Sequence, residues 1–177
     1  MEKLVDEVGM KLSKPLEFYK DMLVEHGFTM EFFCTTHDVY YTKETSFDGF
    51  TENEIKRACV RFRNGRAEER CASENIFTEA DAIRQGYKKV FDTTKKDYHF
   101  NNGKIKSRIQ LQEIENVGLL VYYDNPDYYC FDLDTQREKL LKELNSYGFE
   151  FNMHDLGLDK LRTLYYKKEM FSKNQNG

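Results

Sequence analysis

Two Asn-Gly turns do most to limit the folds open to this chain: Asn64-Gly65, and Asn102-Gly103 within "NNG" at 101–103. Asn-Gly tolerates the positive backbone angles that a two-residue hairpin needs, so each pair predicts two antiparallel neighbours. The flanking stretches fit strands. "TMEFFCTTHDVYYTK" (29–43), "CVRFR" (59–63), "RAEERCA" (66–72) and "KKVFDTTKKDYHF" (88–100) set aromatic and β-branched residues among polar ones. So do "KIKSRIQLQEI" (104–114) and "NVGLLVYYD" (116–124), and residues 5–12 alternate. Aromatic and β-branched side chains suit a pleated, half-buried surface.

Helical signals punctuate the strands. Pro15 opens "PLEFYKDMLVEHGF", where Leu16, Tyr19, Met22 and Leu23 recur at helical spacing and Gly27 is the stop. Thr51 and Glu54 have capping-box spacing. "TEADAIRQGY" reads as a short helix capped at Thr78 and stopped at Gly86. "DTQREKLLKELNSYGF" is the clearest helix, with Asp134 or Thr135 as its cap and Leu140, Leu141 and Leu144 as its apolar stripe. "DKLRTLYYKKEMF" reads as a final short helix. The expectation is one α+β domain over 1–171, about eight antiparallel strands with flanking helices, either an open sheet or one closed into a barrel. Residues 172–177 are expected to fray.

The outward faces carry the chemistry. Glu7 and Lys11 share a face, as do Arg61 and Arg63; Arg66, Glu68 and Arg70; Lys95 and Asp97; Arg108, Gln110 and Gln112; and Tyr122 and Asp124. In an ordinary antiparallel sheet such a face meets solvent. A barrel with a charged lumen gives the same pattern. Guanidinium and ammonium groups bind phosphate oxygens, and carboxylates hold Mg²⁺ or Mn²⁺ beside a polyphosphate. His37 adjoins Asp38, but no Ser or Cys is placed to act as a nucleophile.

The order of these motifs resembles the CYTH superfamily, the triphosphate tunnel metalloenzymes, which include class IV adenylate cyclases and thiamine triphosphatases. "EVGMK" (7–11) is similar to the family's E-x-E-x-K strand, "HDVYY" to its D-x-Y strand and "VRFR" to its L-R-x-R strand. "TTKKDY" resembles its basic strand, and "IQLQEIENVGLLVYYD" its D-E-V-E-x-h-G and E-x-E segment. The resemblance runs over nearly the whole chain. It implies a closed tunnel in which Lys11, Arg61, Arg63, Lys95 and Arg108 clamp phosphates. Glu7 and Asp124, with Glu68 as a substitute, would hold Mg²⁺ or Mn²⁺.

The chain departs from the pattern mainly on the metal side. Gly9, Gln112 and Tyr122 stand where the family carries carboxylates, and Asp97 stands where a basic residue is usual. The expected ligand is a triphosphate or another phosphorylated metabolite. Metal-dependent phosphohydrolysis, adenylate cyclase-like activity and binding without turnover all stay open, as does a plain interaction domain. The net charge of −4 argues against a general nucleic-acid partner. No apolar run approaches a membrane span, and the four cysteines form no C-x-x-C pair, so a cytoplasmic protein is expected. A homodimer is compatible with all of this.

Overall fold

A computed structural model describes residues 8–68, 71, 74–150 and 160–175. Its strands are β1 (Val8–Lys11), β2 (Thr29–Thr42), β3 (Cys59–Arg63), β4 (Arg66–Ala67), β5 (Lys88–Asn101), β6 (Ile109–Ile114) and β7 (Gly118–Tyr123). Its helices are α1 (Leu16–Glu25), α2 (Glu52–Ala58), α3 (Glu79–Arg84), α4 (Leu133–Ser146) and α5 (Lys160–Gln175). The strands form one sheet in the order β1-β7-β6-β5-β2-β3-β4.

Two expectations are corrected here. The described residues contain seven strands rather than eight, and β1 and β4 end the sheet without pairing to each other. The sheet therefore does not close. β4 holds only Arg66 and Ala67. Beyond Ala67, Cys71 N–H donates to Glu68 C=O at 2.8 Å.

Packing divides the chain into two units. One comprises Met1–Cys34, Lys96–Glu113 and Gly118–Leu158; the other comprises Thr35–Lys95, Ile114–Val117 and Asp159–Gly177. Each has its own core. Met10, Leu23, Phe28, Leu111 and Val121 pack with Leu140 and Leu144 of α4 in the first. In the second, Val39 and Tyr41 of β2 pack with Val60 and Phe62 of β3, together with Cys71 and Ile76. That cluster takes one face of the β2–β3 pair and leaves the other to polar residues.

The Asn64-Gly65 turn forms as expected, with φ of 51° and 79°, and sets Arg63 opposite Arg66. The capping box at Thr51/Glu54 forms as expected, and Thr78 caps α3 in a second box with Asp81. The Asn102-Gly103 turn does not make a two-residue hairpin. Asn101 donates from Nδ2 to the carbonyls of Ile105 and Ser107, at 3.3 and 2.9 Å, and holds 102–108 as a longer loop. The cap of α4 is Asp132, upstream of the expected Asp134 or Thr135. It accepts from Thr135 N–H at 2.9 Å. The last helix runs through Gln175, beyond Phe171.

Candidate functional site

The β2–β3 ladder sets Asp38 opposite Arg63 and Tyr40 opposite Arg61. Opposed residues of an antiparallel pair share a face, so this one carries two arginines, a carboxylate and a phenol. Arg63 grips Asp38 with both prongs of its fork, Nε to Oδ1 at 2.8 Å and Nη2 to Oδ2 at 3.0 Å. Arg61 comes within 3.8 Å of the same carboxylate, donates to the Tyr40 hydroxyl at 3.4 Å and pairs with Glu68. The Asp38 side chain is wholly buried.

Two lysines complete the cluster. Lys95 on β5 is buried, and its charge acts on both Asp38 and Tyr40. Lys160, the first residue of α5, is 8% exposed and holds its ammonium 5.9 Å from the Tyr40 ring centroid. Burial alone would raise the Asp38 pKa. The Arg63 bonds and the charges of Arg63, Arg61 and Lys95 outweigh it and hold the carboxyl below its ordinary value. Burial pushes Lys160 down to about 8; Asp38 opposes this, while Arg61, Arg63 and Lys56 add to it. Among the described residues, Arg61, Arg63, Lys95 and Lys160 thus face two carboxylates, Asp38 and Glu68, so positive charge is in excess there. A cavity of about 530 Å³ beside it is lined by Arg63, Asn64, Arg66, Ala67 and Glu68. That is a size suited to a small ligand.

The structure gathers Arg61, Arg63, Lys95 and Glu68 of the expected site in one unit. Lys11, Arg108 and Asp124 belong to the other, where each meets neighbours of its own. The exposed Lys11 lays its stem over Gly118, its Cε 3.2 Å from where a Cβ would stand there. Arg108 donates to Glu31 at 2.9 Å. Asp124 accepts from Ser107 Oγ at 2.7 Å and from the Tyr129 hydroxyl. Gln112 is buried and donates to Gln110 at 3.2 Å. Glu7 lies outside the described residues. His37 bonds Asp92 on β5, not Asp38.

Divalent metal was expected at Glu7, Asp124 and Glu68. A hard cation needs carboxylate oxygens with lone pairs to give. Glu68 is paired with Arg61, and the Asp124 oxygens accept two hydroxyls in the other unit. Both described carboxylates of that set therefore already have partners.

At Gly9 the reason is steric. Tyr122 is its direct partner on β7, and a Cβ at Gly9 would lie 2.6 Å from Tyr122 Cε1. The ring occupies the space that a carboxylate side chain would need. Gly9→Glu should therefore cost about 1–3 kcal/mol by overpacking. The same change in a Tyr122→Ala background should cost far less. Urea unfolding of the four proteins checks this, and additive costs would refute the steric account.

Sequence reasoning missed the centre of the cluster. The sequence marks Asp38 through the D-x-Y strand alone and gives no sign that it is a hub. Lys160 gave no signal, because one lysine at a helix start has no pattern.

No family model and no curated protein matches the sequence. Solved structures do. The PH1819 protein of Pyrococcus horikoshii OT3 aligns over 93% of this chain and 98% of its own, with TM-score 0.56 and 16% identity. The PH1012 protein of the same organism aligns over 86% and 94%, with TM-score 0.54 and 14% identity. A proposed adenylate cyclase from Vibrio parahaemolyticus aligns over 94% and 99%, with TM-score 0.56 and 12% identity. Likeness at such identity is likeness of fold, and the seven-stranded antiparallel sheet with its flanking helices is CYTH-like.

Proposed function

We propose that this chain binds a triphosphate or another phosphorylated small molecule through Arg61, Arg63, Lys95 and Lys160, and that binding needs no divalent metal. The observation that carries this reading is the excess, among the described residues, of buried and half-buried positive charge around Asp38. Gathering like charges at low dielectric is unfavourable unless an anion offsets it. A phosphate chain offers several oxygens to guanidinium forks and ammonium groups at once. The name of the Vibrio neighbour, adenylate cyclase, makes a nucleoside triphosphate a sensible first ligand of this class. Turnover is a different matter. Phosphoryl transfer relies on metal to neutralise developing charge, and Gly9, Gln112 and Tyr122 supply no carboxylate. A binding module is therefore favoured over a phosphohydrolase.

The test is a thermal-shift titration with tripolyphosphate, ATP and pyrophosphate, in EDTA and in Mg²⁺ or Mn²⁺. Ligand at about 100 times its Kd should stabilise by roughly 2.7 kcal/mol, a rise in Tm on the order of 5–10 °C. The rise should persist in EDTA, with no phosphate released. Arg61→Ala should weaken binding by at least about tenfold, the worth of a charge-assisted bond. Unchanged affinity in that variant would sink the clamp. Metal-dependent phosphate release would replace the binding module with an enzyme.

A further inference from the structure

A second group of side chains uses different chemistry and different residues. Cys34 on β2 and Asp97 and His99 on β5 each present a donor atom, and these atoms all lie within 4.8 Å of one another. All three belong to the unit built from Met1–Cys34, Lys96–Glu113 and Gly118–Leu158. Asp97 and His99 are two apart on one strand, so they leave the same face. β2 is the neighbour of β5 in the sheet, which brings Cys34 alongside. Asp97 is 4% exposed, and Cys34 and His99 are half-buried. The Phe32 ring stands edge-on to the His99 imidazole at 5.3 Å, so the histidine is packed in place.

Two kinds of site use a thiol, an imidazole and a carboxylate. In a nucleophile relay the carboxylate and the thiol bond opposite nitrogens of the ring and so lie far apart. Here the thiol sulfur, one ring nitrogen and one carboxylate oxygen lie close to one another pairwise, as ligands of a common centre do. Tetrahedral Zn²⁺ with bonds of about 2.0–2.3 Å sets its donors about 3.3–3.8 Å apart. The three atoms therefore need to close by no more than about 1.5 Å. A thiolate and an imidazole select a borderline or soft transition metal over Mg²⁺ or Ca²⁺.

We propose that Cys34, Asp97 and His99 form a binding site for Zn²⁺ or a similar divalent transition metal, with the fourth position open to water or an exogenous ligand. Cys34 binds as thiolate and loses its proton to solvent, and His99 binds as neutral imidazole, so affinity rises with pH. The site does not depend on the phosphate reading, with which it shares no residue, and either can fail alone.

The experiment uses the full chain, stripped with EDTA and held reduced, and titrates it with Co²⁺ as a coloured substitute. One equivalent should produce tetrahedral d–d absorption and a thiolate-to-metal charge-transfer band, and Zn²⁺ should displace both. Cys34→Ser should abolish the charge-transfer band and weaken Zn²⁺ more than about 100-fold. Loss of a mere outer-shell partner already costs 10–100-fold. His99→Ala should weaken it similarly, whereas Cys130→Ser, at an exposed cysteine, should change nothing. In the unaltered protein, Zn²⁺ should protect Cys34, and not Cys130, from alkylation read by mass spectrometry. This arm stands whether or not the variants fold. An absent charge-transfer band, a band that survives Cys34→Ser, or Cys34 alkylation indifferent to Zn²⁺ would each overturn the assignment.

Discussion

Asp38→Asn should destabilise the protein by about 3 kcal/mol at pH 7, near the low end of what breaking a buried ion pair costs. The low end applies because Arg63 is 35% exposed and can turn partly to water, whereas Asp38 has no exposed surface. The substitution keeps side-chain volume, so no cavity confuses the result. It sets an amide N–H₂ against guanidinium donors and removes the charge that Arg61, Arg63, Lys95 and Lys160 share. In a chain of 177 residues, Tm should fall by roughly 6–12 °C. The pH dependence follows from linkage. The Asp38 pKa is held below its ordinary 3.8 in the folded state, so its contribution is fully present above that value and is lost as pH falls below it. The gap between the parent and Asp38→Asn should accordingly narrow below about pH 4. Urea unfolding at pH 7 and at pH 3 measures both, and equal stability at pH 7 would remove Asp38 from the centre of the site.

Lys160→Met should have the opposite sign. The folded protein lowers Lys160 from 10.5 to about 8, so below pH 8 the buried ammonium is a standing cost. At 1.36 kcal/mol per pKa unit, that cost is about 3 kcal/mol. It is relieved as pH rises from 8 to 10.5, where the unfolded chain binds the proton more tightly than the folded one. The variant should therefore be more stable at pH 7 by up to about 3 kcal/mol, and its advantage should vanish near pH 10.5. The same change should weaken tripolyphosphate binding. A gain in stability joined to a loss of affinity is the mark of a group kept for function. Loss of both would make Lys160 a structural residue.

Local chemistry made part of this legible in the sequence. Asn64-Gly65 declares its turn because both residues accept positive φ, and Thr51 and Thr78 declare helix starts because their hydroxyls meet N–H groups three residues on. Arg61 and Arg63 could be set on one face by counting alone. Lys95 came from the family resemblance, and the structure puts its charge on Asp38. What escaped was tertiary. Lys160 reaches Tyr40 from a helix far along the chain, and Cys34 meets Asp97 and His99 only because β2 and β5 are neighbours. Asn101 misled for another reason: its side chain binds carbonyls further along and replaces a tight turn with a loop. The closed barrel rested on resemblance, and the two-residue β4 shows where the ladder ends.

The packing of Tyr122 over Gly9 also favours one order of events. A carboxylate can enter at position 122 in one step, since the glycine opposite leaves room. At position 9 it enters against the ring and costs about 1–3 kcal/mol. A route that rebuilds an acidic pair on β1 and β7, in the laboratory or in descent, is therefore cheaper when position 122 changes first.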